Sequence, residues 1–145
     1  MLAKHPVHIM LVHFPSALLP VDLIFQVMAH VRGDHTLAVA AYYCLMGGVI
    51  GGWIAVLSGM TDLFLYLTKE GDKAIKTGLT HAWIQTGVVT GFTAILAFEY
   101  KTFSNVLHLP LGLAIAKGIL LLVMFAGNYL GGELLFNHVI KQIKK

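Results

Sequence analysis

Two runs in this sequence lack any formal charge. Residues 36–61 and residues 77–98 contain no Asp, Glu, Lys or Arg. Two further apolar stretches carry one charge each, Asp22 in the first and Lys117 in the last. A helix needs about 20 mostly apolar residues to cross a bilayer, and each stretch reaches that length. Lipid offers backbone groups no hydrogen-bond partner, so each segment must satisfy its own. The two-residue alternation of a membrane β-strand is absent. The expected fold is therefore all-α: an integral membrane four-helix bundle in up-down-up-down order. It forms a single transmembrane domain over residues 1–145, with spans at about 7–30, 36–66, 78–98 and 107–137. Composition agrees, with 12% charged residues where a soluble domain carries about 25%.

The N-terminal stretch lacks the small-residue cleavage pattern of a signal peptide, and the first span reads as a retained anchor. Cys44 is the single cysteine and sits within the second span, so no intrachain disulfide is available. A sequence pI near 9.1 does not indicate a nucleic-acid surface, because the basic residues stand at span ends. If the N-terminus lies on side A, that side also receives the second loop and the C-terminus. It then holds Lys4, Lys69, Lys73, Lys76, Lys141, Lys144 and Lys145, against Arg32 and Lys101 on side B. The positive-inside rule makes side A cytoplasmic, which predicts a multi-pass protein of the cytoplasmic (inner) membrane with both termini inside.

Antiparallel connection brings particular polar residues to side A. The start of span one carries His5, His8 and His13, the end of span two Asp62, the start of span three His81, and the end of span four Glu133 and His138. At about 1.5 Å per residue, His13 lies roughly 8 to 10 Å inside its span and His81 a few ångströms inside its own. Ionisable groups at such depth face the bundle interior and are functional candidates. Each of these histidines read alone is also an ordinary interfacial or core imidazole. His30, His35 and His108 fall at loop edges on side B and read as interfacial.

Imidazole ligates haem iron, copper, zinc and nickel, and two histidines from different helices can hold a haem inside a bundle. The expected axial pair is His13 and His81, with His8 and Asp62 fixing tautomer and tuning potential. A b-type haem would make the chain an electron carrier, or an oxidoreductase subunit, between a membrane quinone and a redox partner protein. The alternative is a transition-metal binding or transport protein with His5, His8, His13, His81 and His138 as ligands. A structural membrane subunit without cofactor is a further reading. The small-xxx-small patterns at Gly47-Gly48 with Gly51-Gly52, at Gly87 with Gly91, and at Gly127 with Gly131-Gly132 permit close helix packing or a flat macrocycle. They also permit a homodimer. Pro15 and Pro20 predict a kink in the first span. Asp22 and Lys117, each roughly eight residues in from side B, are expected to pair, as a clamp or as part of a proton path. No phosphate loop, dinucleotide fingerprint, HExxH or hydrolase triad is present. The chemistry is not hydrolytic.

HPVHIMLVHFPSALLPVD, SGMTDLFLYL, His81-Ala82 and NYLGGELLFNHV occur in that order. Together they resemble the bacterial four-span membrane family called domain of unknown function 2231, over nearly the whole chain. In the last motif, Phe136, Asn137 and Val139 stand where the family has tyrosine, arginine and glycine around the histidine. The resemblance implies an inner-membrane protein some of whose relatives are joined to Rieske-type redox domains, and hence an electron-transfer setting. It maps the family's histidines onto His5, His8, His13, His81 and His138.

Overall fold

The computed structural model describes residues 7–65, 72–102, 110–134 and 136. Among them are five α-helices: α1 Val7–Leu11, α2 His13–Arg32, α3 His35–Leu65, α4 Asp72–Lys101 and α5 Leu111–Leu134. No strand occurs among the described residues. Counting α1 and α2 together as Val7–Arg32, four helical segments are long and apolar enough to cross a membrane.

The break between α1 and α2 has a local cause. Pro15 has no N–H, so the carbonyl one turn earlier loses its helical partner. The backbone departs from regular helix at Val12, whose N–H still reaches His8 O at 3.0 Å. Pro20, by contrast, lies inside α2 without ending it. The turn into α3 is built from Gly33 and Asp34. Gly33 adopts φ +66°, the left-handed conformation that glycine accepts without strain. Asp34 Oδ1 then caps α3 by accepting from the backbone N–H groups of Thr36 at 2.8 Å and Leu37 at 3.3 Å, satisfying donors that a helix start leaves open.

Contacts fix the chain directions. On α2 and α3, Phe14 meets Gly51 and Leu19 meets Gly48. On α4 and α5, His81 meets Gly131 and Leu120 meets Gly91. On α2 and α5, Asp22 meets Lys117 and Ser16 meets Asn128. In each pair one position rises as the other falls, so all three pairs are antiparallel. It follows that α3 and α4 are antiparallel too. With α2 against α3, α3 against α4, α4 against α5 and α5 back against α2, the helices form a closed ring, and α2 lies diagonally across from α4.

Each helix turns one stripe inward. On α2 the buried residues are Pro15, Leu19, Asp22, Gln26 and Ala29. The three-then-four spacing is that of helices packed side by side. The core contains Leu19, Leu45, Val49, Val88, Phe92, Ile95, Leu121 and Met124. Outward-facing Ile24, Leu57, Phe64, Ile119 and Leu122 meet lipid. Trp83 and Tyr129 toward side A and Tyr100 toward side B are exposed, the positions of interfacial aromatic anchors. The glycines admit neighbouring helices closely. A Cβ on Gly48 would meet Leu19 at 2.6 Å, and one on Gly52 would meet Val89 at 2.9 Å. Small residues at membrane helix contacts serve this purpose.

Candidate functional site

Two polar centres lie inside the bundle, one near each end, with the apolar core between them. The first is built on His8 and His81.

His8, on α1, is half-buried, and its Nδ1 lies 2.9 Å from Ala55 O and 3.3 Å from Ser58 Oγ on α3. His81, on α4, is half-buried, with Nδ1 2.7 Å from Gly127 O on α5. A carbonyl can only accept, so each Nδ1 carries the proton and each Nε2 keeps its lone pair for another partner. The ring centres are 6.4 Å apart with an interplanar angle of 81°.

The seating of the two rings is the same. A Cβ on Gly59 would meet His8 Cε1 at 2.7 Å, and one on Gly131 would meet His81 Cε1 at 2.8 Å. In both cases the carbonyl that binds Nδ1 belongs to the residue four before that glycine, Ala55 before Gly59 and Gly127 before Gly131. Each imidazole thus lies in a notch where one helical turn presents a carbonyl and then no side chain. Replacing Gly131 with alanine forces the His81 ring or helix α5 to move, and overpacking of this kind costs about 1–3 kcal/mol. Gly132→Ala is the control, because nothing lies within 4 Å of a Cβ there. Unfolding of the two variants in mixed detergent micelles should show a loss for Gly131→Ala and none for Gly132→Ala.

Around this pair, Asp62, one turn beyond Ser58 on α3, is near enough to act electrostatically on His8. Gln85, one turn beyond His81 on α4, donates to Met124 O at 3.1 Å and to Asn128 Oδ1 at 2.8 Å. Asn128 donates in turn to Ser16 Oγ at 3.1 Å. This chain ties α4, α5 and α2 together immediately inward of the imidazoles.

His13 does not join the pair. It is exposed, and its Nδ1 lies 2.7 Å from Ile9 O on the preceding turn of its own chain segment. The ring in contact with His81 is that of His8. The five-residue offset between His8 and His13 turns the second about 140° away at 3.6 residues per turn. His5 and His138 lie outside the described residues. Among the described residues, no three His, Cys, Asp or Glu side chains gather as a metal-holding group. Glu133 is exposed, as are His30 and His35. At most of the glycines expected to admit a flat macrocycle the space holds side chains: Leu18, Leu19, Phe14, Val89, Leu120, Gln85 and His81.

The second centre lies toward side B. Lys117 Nζ contacts Asp22 at 2.9 Å from Oδ1 and 2.8 Å from Oδ2, and Glu99 Oε1 at 2.7 Å. It also donates to Gln26 Oε1, and Gln26 Nε2 donates to Glu99 Oε1 at 3.1 Å. All four side chains are buried, Asp22 and Lys117 completely. The expected Asp22–Lys117 pair is present, but it is part of a larger set. Glu99 reads from the sequence as the start of a loop, whereas α4 continues to Lys101 and carries Glu99 on the same inward stripe as Phe92 and Ile95. Gln26 and Gln85 are uncharged and escape a search for charges. Each nevertheless stands four residues after an ionisable group, Asp22 and His81, and so on the same helix face.

Residues 4–144 match the family described as "Predicted membrane protein (DUF2231)". Neither a curated protein nor a solved structure matches the chain.

Proposed function

The chain belongs to the DUF2231 family of predicted membrane proteins, and from that premise we propose that His8 and His81 are the two axial ligands of a b-type haem, which makes the protein an electron carrier of the membrane. The observation that carries this reading is the diagonal pair of half-buried imidazoles, 6.4 Å between ring centres, each with Nδ1 held by a main-chain carbonyl. With metal–nitrogen bonds of about 2 Å and the ring centre roughly 1 Å behind each nitrogen, imidazoles on opposite sides of one metal ion have centres about 6 Å apart. Histidines that ligate metals nearly always give their other N–H to a carbonyl or carboxylate, as both do here.

The two imidazoles of this pair are the number that haem iron asks of a protein. Haem iron takes four of its ligands from the macrocycle and two from the protein. A macrocycle held at these residues would supply a one-electron couple. The protein's own part is to bring the two imidazoles together and, through Ala55 O and Gly127 O, to fix the tautomer that leaves each Nε2 free. An Asp62 carboxylate near His8 would favour the more positive, oxidised form of such a centre. The reading carries with it a cytoplasmic side A, from the lysine asymmetry, in the inner membrane. Quinone and a redox protein are the proposed exchange partners.

The test is an absorption spectrum of the detergent-purified protein, oxidised and then dithionite-reduced, with metal analysis of the same sample. A Soret band with resolved reduced α and β bands is expected, with about one iron per chain. A colourless protein holding zinc, copper or nickel in near-stoichiometric amount would replace haem by an ion. A colourless, metal-free protein from cells supplied with both overturns the proposal.

A further inference from the structure

The side-B centre contains two carboxyl groups and one ammonium, so with every group ionised it holds a net charge of −1 in the middle of an apolar bundle. A charge left uncompensated there costs several kcal/mol. Two carboxylate oxygens are buried without a hydrogen-bond partner, Asp22 Oδ2 and Glu99 Oε2, and they differ in how close the ammonium stands. Lys117 Nζ donates to Asp22 Oδ1 and Gln26 Oε1 and lies 2.7 Å from Glu99 Oε1. Both oxygens of Asp22 lie within 3 Å of Nζ, at 2.9 and 2.8 Å, although Oδ2 lacks hydrogen-bond geometry. Glu99 uses Oε1 for both Lys117 and Gln26. Glu99 Oε2 is buried with no hydrogen-bond partner, in a residue only 5% exposed.

We infer that this cluster is a binding site for one exchangeable proton, carried on Glu99 Oε2 beside a standing Asp22–Lys117 ion pair. Binding forms the Oε2–H bond and brings the cluster to neutrality. Release returns the proton to water and leaves Glu99 as a carboxylate on Lys117. The exit is toward side B, because Glu99 stands two residues, about 3 Å, before the end of α4 at Lys101. Among the described residues, Cys44 on α3 stands near Asp22, and Tyr42 on α3 stands near Glu99 and Tyr100. Neither is a cationic side chain. The site is separate from the imidazole pair. Fourteen residues of chain divide Asp22 from His8, about 21 Å at helical rise, and Leu19, Phe92, Leu121 and Met124 fill the space between.

Infrared pH-difference spectroscopy of the protein in lipid nanodiscs reads this proton directly, through the C=O stretch of a carboxylic acid. At pH 7 the wild type is expected to show one such band, which shifts in D2O because the proton exchanges. Glu99→Gln should remove it. Asp22→Asn should remove it as well, since one carboxylate facing one ammonium no longer needs a proton, and so the test does not depend on a single variant folding. A wild type with no acid band at pH 7 overturns the inference, whether or not sodium or potassium proves to be bound. A band that survives in Glu99→Gln, or one that fails to shift in D2O, overturns it too.

Discussion

Lys117→Met should be the most destabilising single substitution in the bundle, costing about 3–5 kcal/mol, the range for removing one partner of a buried ion pair. Methionine keeps most of the volume and all of the apolar stem, so the loss isolates the ammonium. The Lys117 side chain touches Asp22 and Gln26 on α2 and also Glu99 on α4. Without it, the two buried carboxyl groups lose their shared cation beside an apolar core that includes Ile95 and Leu121. They must then take up protons or draw in water. For comparison, a large-to-small change in the core, Leu121→Ala, costs about 2–5 kcal/mol without leaving any charge behind. The measurement is loss of helical circular dichroism as SDS is titrated into mixed micelles. The cause can be separated from packing by neutralising the whole set. The triple replacement Lys117→Met, Asp22→Leu, Glu99→Gln should recover most of the loss, because a buried ionic set replaced entirely by uncharged groups is often neutral or better. If Lys117→Met unfolds with the wild type, the lysine is not holding the helices together.

What the sequence reveals and what it hides follow from the solvent. Lipid is as apolar as the bundle core, so helices that face lipid and helices that face each other look alike in hydrophobicity. Length and freedom from charge therefore give four spans and their order, and short connections give antiparallel neighbours. The orientation of each helix about its axis is not encoded in that pattern. Charges partly escape the limit, because they cannot face lipid. Counting depth from the loops was enough to pair Asp22 with Lys117 across helices far apart in sequence.

Asp22 must point inward, and a packed helix repeats its inward face every seven residues. Stepping back by sevens from Asp22 gives Pro15 and then His8. His13 is not on that line. On α4 the inward stripe through Phe92 includes His81, Gln85, Val88, Ile95 and Glu99, so three of the interior polar groups share one spacing. Topology gathers five histidines at one end of the bundle, and the helical phase set by Asp22 distinguishes His8 from His13 there. Glu99 was hidden for a different reason. Helix ends are weakly marked, and Glu99-Tyr100-Lys101 followed by polar residues reads equally well as a loop. The seats under the two rings, Gly59 and Gly131, have no signature beyond being glycine, since their role depends on what another helix places over them.

The second large effect discriminates between histidines five residues apart. On the proposed haem reading, His8→Ala and His81→Ala should each abolish the six-coordinate spectrum, while His13→Ala leaves it unchanged. His8 and His81 approach each other from α1 and α4, and each is fixed by a main-chain bond of 2.9 or 2.7 Å, so no other described imidazole can swing into either place. His13 is exposed and bonded back to Ile9 O, and its removal deletes only a lipid-side or interfacial ring. A single missing ligand should convert the spectrum to a five-coordinate form or empty the site. Imidazole added to His8→Ala should restore the six-coordinate bands, because the space above Gly59 and the acceptor Ala55 O both remain. That rescue separates a ligand from a residue needed only for folding, which added imidazole cannot repair. The opposite pattern, with the spectrum lost in His13→Ala and kept in His8→Ala, would return the ligand role to His13 and require α1 and the start of α2 to turn about their axes. A spectrum kept in all three variants would place the chromophore elsewhere and end the case for this pair.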